Sequence, residues 1–378
     1  MNICKCCNRE VKSKALFSMS NMPNSAQGFL DKEQLDKDKG CDIELYQCPY
    51  CGLVQLFCEP VPYYKEVIRA TSVSEEMRNF RKKQFSNLSE RFSLVGKKVI
   101  EYGCGKGDYL EVFREAVDCR LYGTEYNELS VEYCKSNGLN VQKAYLDDGK
   151  MVLPEAPFDF FYIMNFMEHM PYPSVFLEAA LNNLSDDGIG LIEVPNSDMI
   201  FGESLYSELI SDHLMYFTQE TLTRLLTMNG FDVINCDVIW HDYIISALVK
   251  KRKGLSGFGF SENMNYMKSL ISDYLKTRSE YGSVAIWGAG HQAIANIGVL
   301  DIGKYLSCVI DSAAFKQNKY VPASHLLIVS PDILKEGKIR TVLVMGGSYS
   351  DEIAAYILKN YPDVKCCVLR ERSLEEKN

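Results

Sequence analysis

Val99-Ile100-Glu101-Tyr102-Gly103-Cys104-Gly105-Lys106-Gly107-Asp108-Tyr109-Leu110 is the stretch that decides the fold. A short apolar strand runs into a glycine-rich turn, and an amphipathic helix carrying Tyr109, Leu110, Val112 and Phe113 follows. Glycines at 103, 105 and 107 let the backbone turn sharply and approach a ligand without interference from a Cβ. A strand before and a helix after distinguish a nucleotide-binding turn from a chance cluster of glycines. The spacing is G-x-G-x-G with Glu101 two residues ahead, unlike the dinucleotide spacing G-x-G-x-x-G.

About twenty residues on, Leu121-Tyr122-Gly123-Thr124-Glu125 reads as a second strand ending in a carboxylate. In doubly wound folds an acid at that point accepts hydrogen bonds from ribose hydroxyls, which makes Glu125 the candidate ribose clamp. Tyr145-Leu146-Asp147-Asp148 follows; an acidic side chain or a backbone amide there meets an adenine, or both aspartates are turn residues ahead of Gly149. Phe158-Asp159-Phe160-Phe161-Tyr162-Ile163-Met164-Asn165 has the continuous apolar character of a parallel strand buried on both faces. It leads into Phe166-Met167-Glu168-His169-Met170-Pro171, on the same sheet edge as the glycine turn. A further strand over 190–196 and a β pair near 231–249 complete an α/β domain spanning roughly 93 to 250.

The turn, read as E-x-G-C-G-x-G, resembles the first motif of class I S-adenosylmethionine (SAM) methyltransferases, and the succession of elements is that of their domain. The resemblance implies SAM held by Glu101, Gly103, Gly105, Gly107, Tyr109, Glu125, Asp147, Asn165 and Glu168.

At 378 residues the chain has length for two or three domains, and 47% hydrophobic with 24% charged residues is ordinary for a globular protein. A formal net charge of −9 argues against nucleic acid as the main partner, since phosphate backbones select basic surfaces. No apolar run is long enough for a membrane span, and the N-terminus lacks a secretory pattern. With 14 cysteines, these features lead us to expect a cytoplasmic protein with reduced thiols and metal sites, monomeric or dimeric, with no membrane partner.

Seven cysteines fall in the first 58 residues. Cys4-x-x-Cys7 and Cys48-Pro-Tyr-Cys51-Gly52 form two C-x-x-C knuckles about forty residues apart, the arrangement of a four-thiolate zinc site. Cys6 is an alternative to Cys4 or Cys7, and Cys41 or Cys58 reads as a bystander. Four thiolates leave no open position, so the zinc is structural, cross-linking a segment too small to bury its own core.

Between 63 and 92 lie Tyr63-Tyr64, a Ser/Thr turn at 71–74 and a helix from about Ser74 to Phe92, whose Arg81-Lys82-Lys83 run reads as a solvated face. After a basic run at 250–253, a helix over about 261–280 leads to Ser283-Val284-Ala285-Ile286-Trp287-Gly288-Ala289-Gly290-His291, a second strand and glycine turn. Strands at 305–310, 326–329, 341–345 and 365–369 make this a second α/β domain. Its turn lacks a third glycine, which argues against NAD. His291 and His325 read as structural or nucleotide-phosphate contacts.

The whole layout resembles the three-domain sugar C-methyltransferases of deoxysugar pathways. The matching features are the two cysteine knuckles, the turn at 101–107, Glu168-His169-Met170-Pro171, Asp212-His213-Leu214-Met215-Tyr216-Phe217-Thr218, Gly288-Ala289-Gly290, and Cys308-Val309-Ile310-Asp311 with the following Lys316-Gln317-Asn318-Lys319. The resemblance implies an N-terminal zinc-binding domain (1–62), a helical connector (63–92), a class I methyltransferase domain with a Rossmann-like fold (93–252) and a second Rossmann-like domain (253–378). It implies a nucleotide-activated sugar as substrate, with Tyr63, Tyr64, His241 and His291 as contacts. The family's base maps onto His213, with Asp212, His169 and Tyr216 completing the catalytic group. C-methylation beside a keto group needs a base near neutral pKa, which imidazole supplies, and donors for the developing enolate oxygen. The chain departs from the family at Ile210-Ser211-Asp212-His213, where Y-H-E-H is common, and at His241-Asp242-Tyr243-Ile244-Ile245-Ser246, where H-G-G-S-L-R is common. O- or N-methylation of a nucleotide-sugar is the alternative reaction, and a non-catalytic scaffold on the same fold is the alternative of another class.

Overall fold

The turn at 103–107 follows the strand at which a seven-stranded sheet reverses its order. The computed structural model describes residues 1–66, 73–255 and 257–377, and two of the residues expected in the turn at 71–74 therefore lie outside it. The chain divides into two units, Met1–Gly254 and Leu255–Asn378, each with its own core.

In the first unit the cysteine-rich segment supplies β1 (Phe17–Met22), β2 (Cys41–Gln47) and β3 (Val54–Gln55). Then come α1 (Glu75–Phe92), β4 (Lys98–Tyr102), α2 (Asp108–Ala116), β5 (Arg120–Glu125), α3 (Glu128–Ser136) and β6 (Val141–Lys143). β7 (Phe158–Met164), α4 (Pro173–Asn182), β8 (Leu184–Pro195), α5 (Ser197–Gly202), β9 (Met215–Tyr216) and α6 (Gln219–Met228) follow. The hairpin of β10 (Phe231–Ile239) and β11 (Ile244–Lys251) closes the unit.

The large sheet runs β10-β11-β8-β7-β4-β5-β6, parallel except around β11, which is antiparallel to both neighbours. β7 is central, with Phe160, Phe161, Tyr162 and Ile163 wholly buried, as its unbroken apolar run requires. Since the order reverses at β4, the loops after β4 and β7 open a crevice at the carboxyl edge, where ligands bind in such sheets. A second sheet, β1-β2-β3-β9, joins the cysteine-rich segment to the chain after residue 213.

Helix α1 begins where Ser74 accepts a hydrogen bond from the Met77 amide, with Glu75 and Glu76 complementing the helix dipole. The expectation of a solvated Arg81-Lys82-Lys83 face is corrected at its first residue. Arg81 is wholly buried and pairs with the equally buried Glu193 of β8 at 2.5 Å, while Gln84 and Ser246 also donate to Glu193. Neighbours in sequence point to different faces of a helix, so a run of three cations need not share a solvent face. Removing one partner of such a pair leaves an uncompensated buried charge.

The second unit contains α7 (Phe260–Ser279), β12 (Ser283–Trp287), α8 (His291–Val299), β13 (Cys308–Ile310), β14 (Ile328–Val329) and β15 (Ile339–Val344). It ends with α9 (Ser350–Asn360), β16 (Lys365–Leu369) and β17 (Leu374–Lys377). The order β14-β13-β12-β15-β16-β17 is parallel apart from β17, so this is a second α/β fold with its reversal at β12. The strand expected over 305–310 is shorter, because Gly303–Tyr305 forms a 3-10 turn.

Candidate functional site

Two sites take shape in the first unit, a thiol cluster and a cleft. The Sγ atoms of Cys4, Cys7, Cys48 and Cys51 all lie within 4.8 Å of one another, with Cys4–Cys51 at 3.5 Å and Cys7–Cys48 at 3.6 Å. Thiolates on a tetrahedral zinc with Zn–S near 2.3 Å stand about 3.8 Å apart, so the four fit that ion. The buried Gln55 amide donates to Cys4 Sγ at 3.3 Å, the outer-sphere contact that orients a ligand. Gln55 belongs to β3, whose partner is β9, and the Leu56 amide donates to Leu214 O at 3.0 Å. The thiol knuckle is thereby hydrogen-bonded to the segment that follows His213.

At the glycine turn all three glycines have positive φ (71°, 55° and 84°). Gly107 caps α2, and a Cβ there would stand 2.4 Å from Leu139, so no side chain is tolerated without movement. Glu125, at the end of β5, accepts from the Gly105 amide (2.9 Å) and from the amides of Tyr126 and Asn127. Turn and acid are thus held together. Beyond them Lys65 pairs with Asp147 at 2.7 Å and lies 5.1 and 5.3 Å from the ring centres of Tyr145 and Tyr126.

A cleft of about 610 Å³ opens beside Tyr109. Asn165, Glu168 and His169, just past β7, line one side, and Asp212 and His213 line another. His169 Nδ1 lies 2.8 Å from Asp212 O, and the Leu214 amide donates to Glu168 O at 2.9 Å, locking the two segments together. The rings of His169 and His213 meet edge to face at 4.8 Å. Asp212 turns toward the cysteine-rich segment, accepting from the Ala26 amide (2.8 Å) and from Tyr63 Oη (2.6 Å), while Tyr63 Oη accepts from the Gln27 amide.

Burial governs the titration of this cluster. It pushes the Glu168 carboxyl up to about 8, with its Oε2 buried and unpaired. The His213 imidazole is driven down to about 3 by burial and then by the neighbouring His169, and His169 itself is lowered, chiefly by burial. At neutral pH the centre therefore holds two unprotonated imidazoles and a protonated carboxylic acid.

Residues 74–235 match the model of a methyltransferase domain, and residues 252–361 that of a C-methyltransferase C-terminal domain. The chain carries a methyltransferase domain. No curated protein matches the chain. Similar solved structures include a SAM-dependent methyltransferase from Aquifex aeolicus, 19% identical over 46% of this chain and 98% of that one, with a TM-score of 0.36. Another, from Clostridium acetobutylicum, is 11% identical over 46% and 92%, with a TM-score of 0.38.

The fold brings together many of the residues singled out from sequence. Tyr63, Tyr64, Tyr109, Asn165, Glu168, His169, Asp212 and His213 all line the cleft. Tyr216 does not: it is buried behind, its hydroxyl bonded to the backbone of Ile210, and so props the loop that carries His213. His241 stands exposed at the surface beside Glu76, at 3.5 Å. Its neighbours Trp240 and Tyr243 face the cleft instead, because Trp240, His241 and Asp242 all adopt positive φ in the β10–β11 turn. Asp147 is taken up by Lys65. Ala26, Gln27, Trp240 and Tyr243 were not expected in the cleft, and only the aromatic pair flanking His241 carried a signal in the sequence.

In the second unit, His291 starts α8 and lines a separate crevice of about 790 Å³ at that sheet's carboxyl edge. Asp311 accepts there from the Ala289 amide (2.8 Å) and from Lys316 Nζ (2.9 Å).

Proposed function

We propose that this methyltransferase moves the methyl group of SAM to a carbon beside the keto group of a nucleotide-linked deoxysugar, in the cytoplasm. The observation that carries the reading is the pairing of His213 and Glu168 in one cleft next to the glycine turn, supported by the match to a C-methyltransferase C-terminal domain. The turn at 103–107 and Glu125 would hold the adenosyl part, and SAM supplies the electrophilic methyl. His213, unprotonated at neutral pH, would take the proton from the carbon. The burial that makes its imidazolium costly is offset when an enolate forms beside it, so proton removal and anion formation support each other. Tyr63, held in place by Asp212, would position a sugar hydroxyl from the side of the cysteine-rich segment. Zinc on Cys4, Cys7, Cys48 and Cys51 would be structural, holding β3 against β9.

A panel of dTDP-, GDP- and UDP-linked 4-keto-6-deoxysugars, incubated with SAM and analysed by mass and NMR, tests the reading. A product carrying a new C–CH3 group is the expected result. Methyl ethers in place of that product point to O-methylation, and stabilisation by S-adenosylhomocysteine without transfer to any sugar defeats the reading.

A further inference from the structure

The resemblance gives Glu168 to the cofactor, but its carboxyl lies within 4.8 Å of the imidazole of His213, the proposed base. Glu168 is 2% exposed, lines the cleft, and its Oε2 has no hydrogen-bond partner. Among the described residues, only its own backbone amide favours the carboxylate form. His169 Nε2 stands 3.9 Å from Oε1, His213 lies within 4.8 Å, Tyr109 and Tyr243 also line the cleft, Asp212 is turned away to Ala26 and Tyr63, and Glu66 is a further acid. Among the described residues lining the cleft there is no lysine or arginine. A buried carboxyl so placed keeps its proton, and that proton needs an acceptor which the protein does not provide.

We propose that Glu168 is a catalytic acid that stays neutral, its O–H donating a hydrogen bond to the carbonyl oxygen of the substrate as that oxygen becomes an enolate. The inference rests on the keto-sugar reading above. The balance is simple. The C–H proton goes to an imidazole nitrogen of His213, and the electron pair moves through carbon onto the oxygen bonded by Glu168. The enolate carbon then attacks the SAM methyl, the S–CH3 bond breaks to leave S-adenosylhomocysteine, and the carbonyl re-forms. Glu168 gives up no proton in this sequence, so its hydrogen bond gains strength only as charge develops, which is the condition for lowering a barrier. The Leu214–Glu168 backbone bond holds donor and base on adjoining segments.

The test uses the zinc-loaded full chain, the same keto-sugar panel and the variants Glu168→Gln and Glu168→Ala. Wild-type kcat should fall as pH rises through about 8, since the donor is lost on ionisation. Glu168→Gln, which keeps an N–H donor, should retain activity within about tenfold and lose that alkaline limb, whereas Glu168→Ala should lose about 10²–10³-fold. Affinity for S-adenosylhomocysteine should stay within about twofold in both. An unchanged alkaline limb in Glu168→Gln, or loss of cofactor binding in both variants, overturns the proposal. Infrared difference spectra serve even without turnover. A protonated-carboxyl band at pH 7, absent from Glu168→Gln and shifted by a dTDP-linked 4-keto-6-deoxyhexose, is expected; a missing or unshifted band also overturns it. Failure of the keto-sugar reading itself appears differently, as no C-methylated product from any sugar.

Discussion

Each unit of the chain places a glycine turn after its reversal strand and bonds that turn to the acid ending the next strand. In the first, Glu125 accepts from Gly105 at 2.9 Å; in the second, Asp311 accepts from Ala289 at 2.8 Å. Sheet order and turn position are alike, yet their surroundings diverge. Asp311 is already neutralised by Lys316, and its crevice is lined by Gly346, Gly347, Ser348 and tyrosines. Beside the first turn stand the buried Glu168 and the half-buried His169 and His213, with no lysine or arginine among the described residues of the cleft. The parallel sheet therefore fixes where a ligand sits, and the chemistry comes from segments that the sheet does not supply. Residues 26, 63, 212 and 213 reach the first cleft from outside the strand–turn–helix core.

The comparison is broken most severely through the thiols. Stripping metal from Cys4, Cys7, Cys48 and Cys51, or replacing Cys48 with Ser, should release the β3–β9 contact and abolish methyl transfer. A structural zinc site is worth about 10–16 kcal/mol in small modules. The second unit, which has no share in that cluster, should keep its hydrogen-exchange protection; a chelated protein that stays fully protected in residues 41–56 would refute the structural role.

Next in size is His213→Ala, expected to lower turnover about 10²–10⁴-fold with affinity for S-adenosylhomocysteine nearly unchanged, as calorimetry beside single-turnover kinetics would report. Retained turnover would remove His213 as the base.

The two acids give the direct contrast. Glu125→Ala should weaken S-adenosylhomocysteine about 10–100-fold, the loss of charge-assisted hydrogen bonds, while Asp311→Ala leaves that affinity alone. Equal effects from both would mean that the units are not functionally distinct. Gly107→Ala should destabilise the first unit by about 1–3 kcal/mol, measured by denaturant unfolding, because of its positive φ and the contact with Leu139.

The smallest expected effect is in pH. Glu168 folds with its pKa raised from 4.5 to about 8, so the stability due to its neutral form is fully present below about 4.5 and lost as pH rises through 8. Between pH 6 and 9 the Tm of wild type should therefore fall more than that of Glu168→Gln; parallel curves would place the carboxyl in water.

Much of this was legible in the sequence for local reasons. Positive-φ glycines, an unbroken apolar run and a Ser74 cap each act within a few residues, so the turn, β7 and α1 emerge directly. The cysteine spacing is equally local within each knuckle. What the sequence hid depends on distant partners. Arg81 reads as surface until Glu193 is brought beneath it, and Tyr216 reads as catalytic until its hydroxyl meets Ile210. His241 reads as a ligand contact until three successive left-handed residues turn it outward and Trp240 inward. Asp212 keeps its place in the cleft, but its carboxylate serves Ala26 and Tyr63.

The bond from the Ala26 amide to Asp212 spans 186 residues. On a ribosome adding about 5–20 residues per second, the N-terminal segment emerges roughly 10–40 s before its partner does. During synthesis the glycine turn is thus made well before the cleft wall formed by Ala26, Tyr63 and Asp212. On the proposed reading, no cleft can form until both ends of that wall have met, so the turn waits on a pairing of residues 186 positions apart.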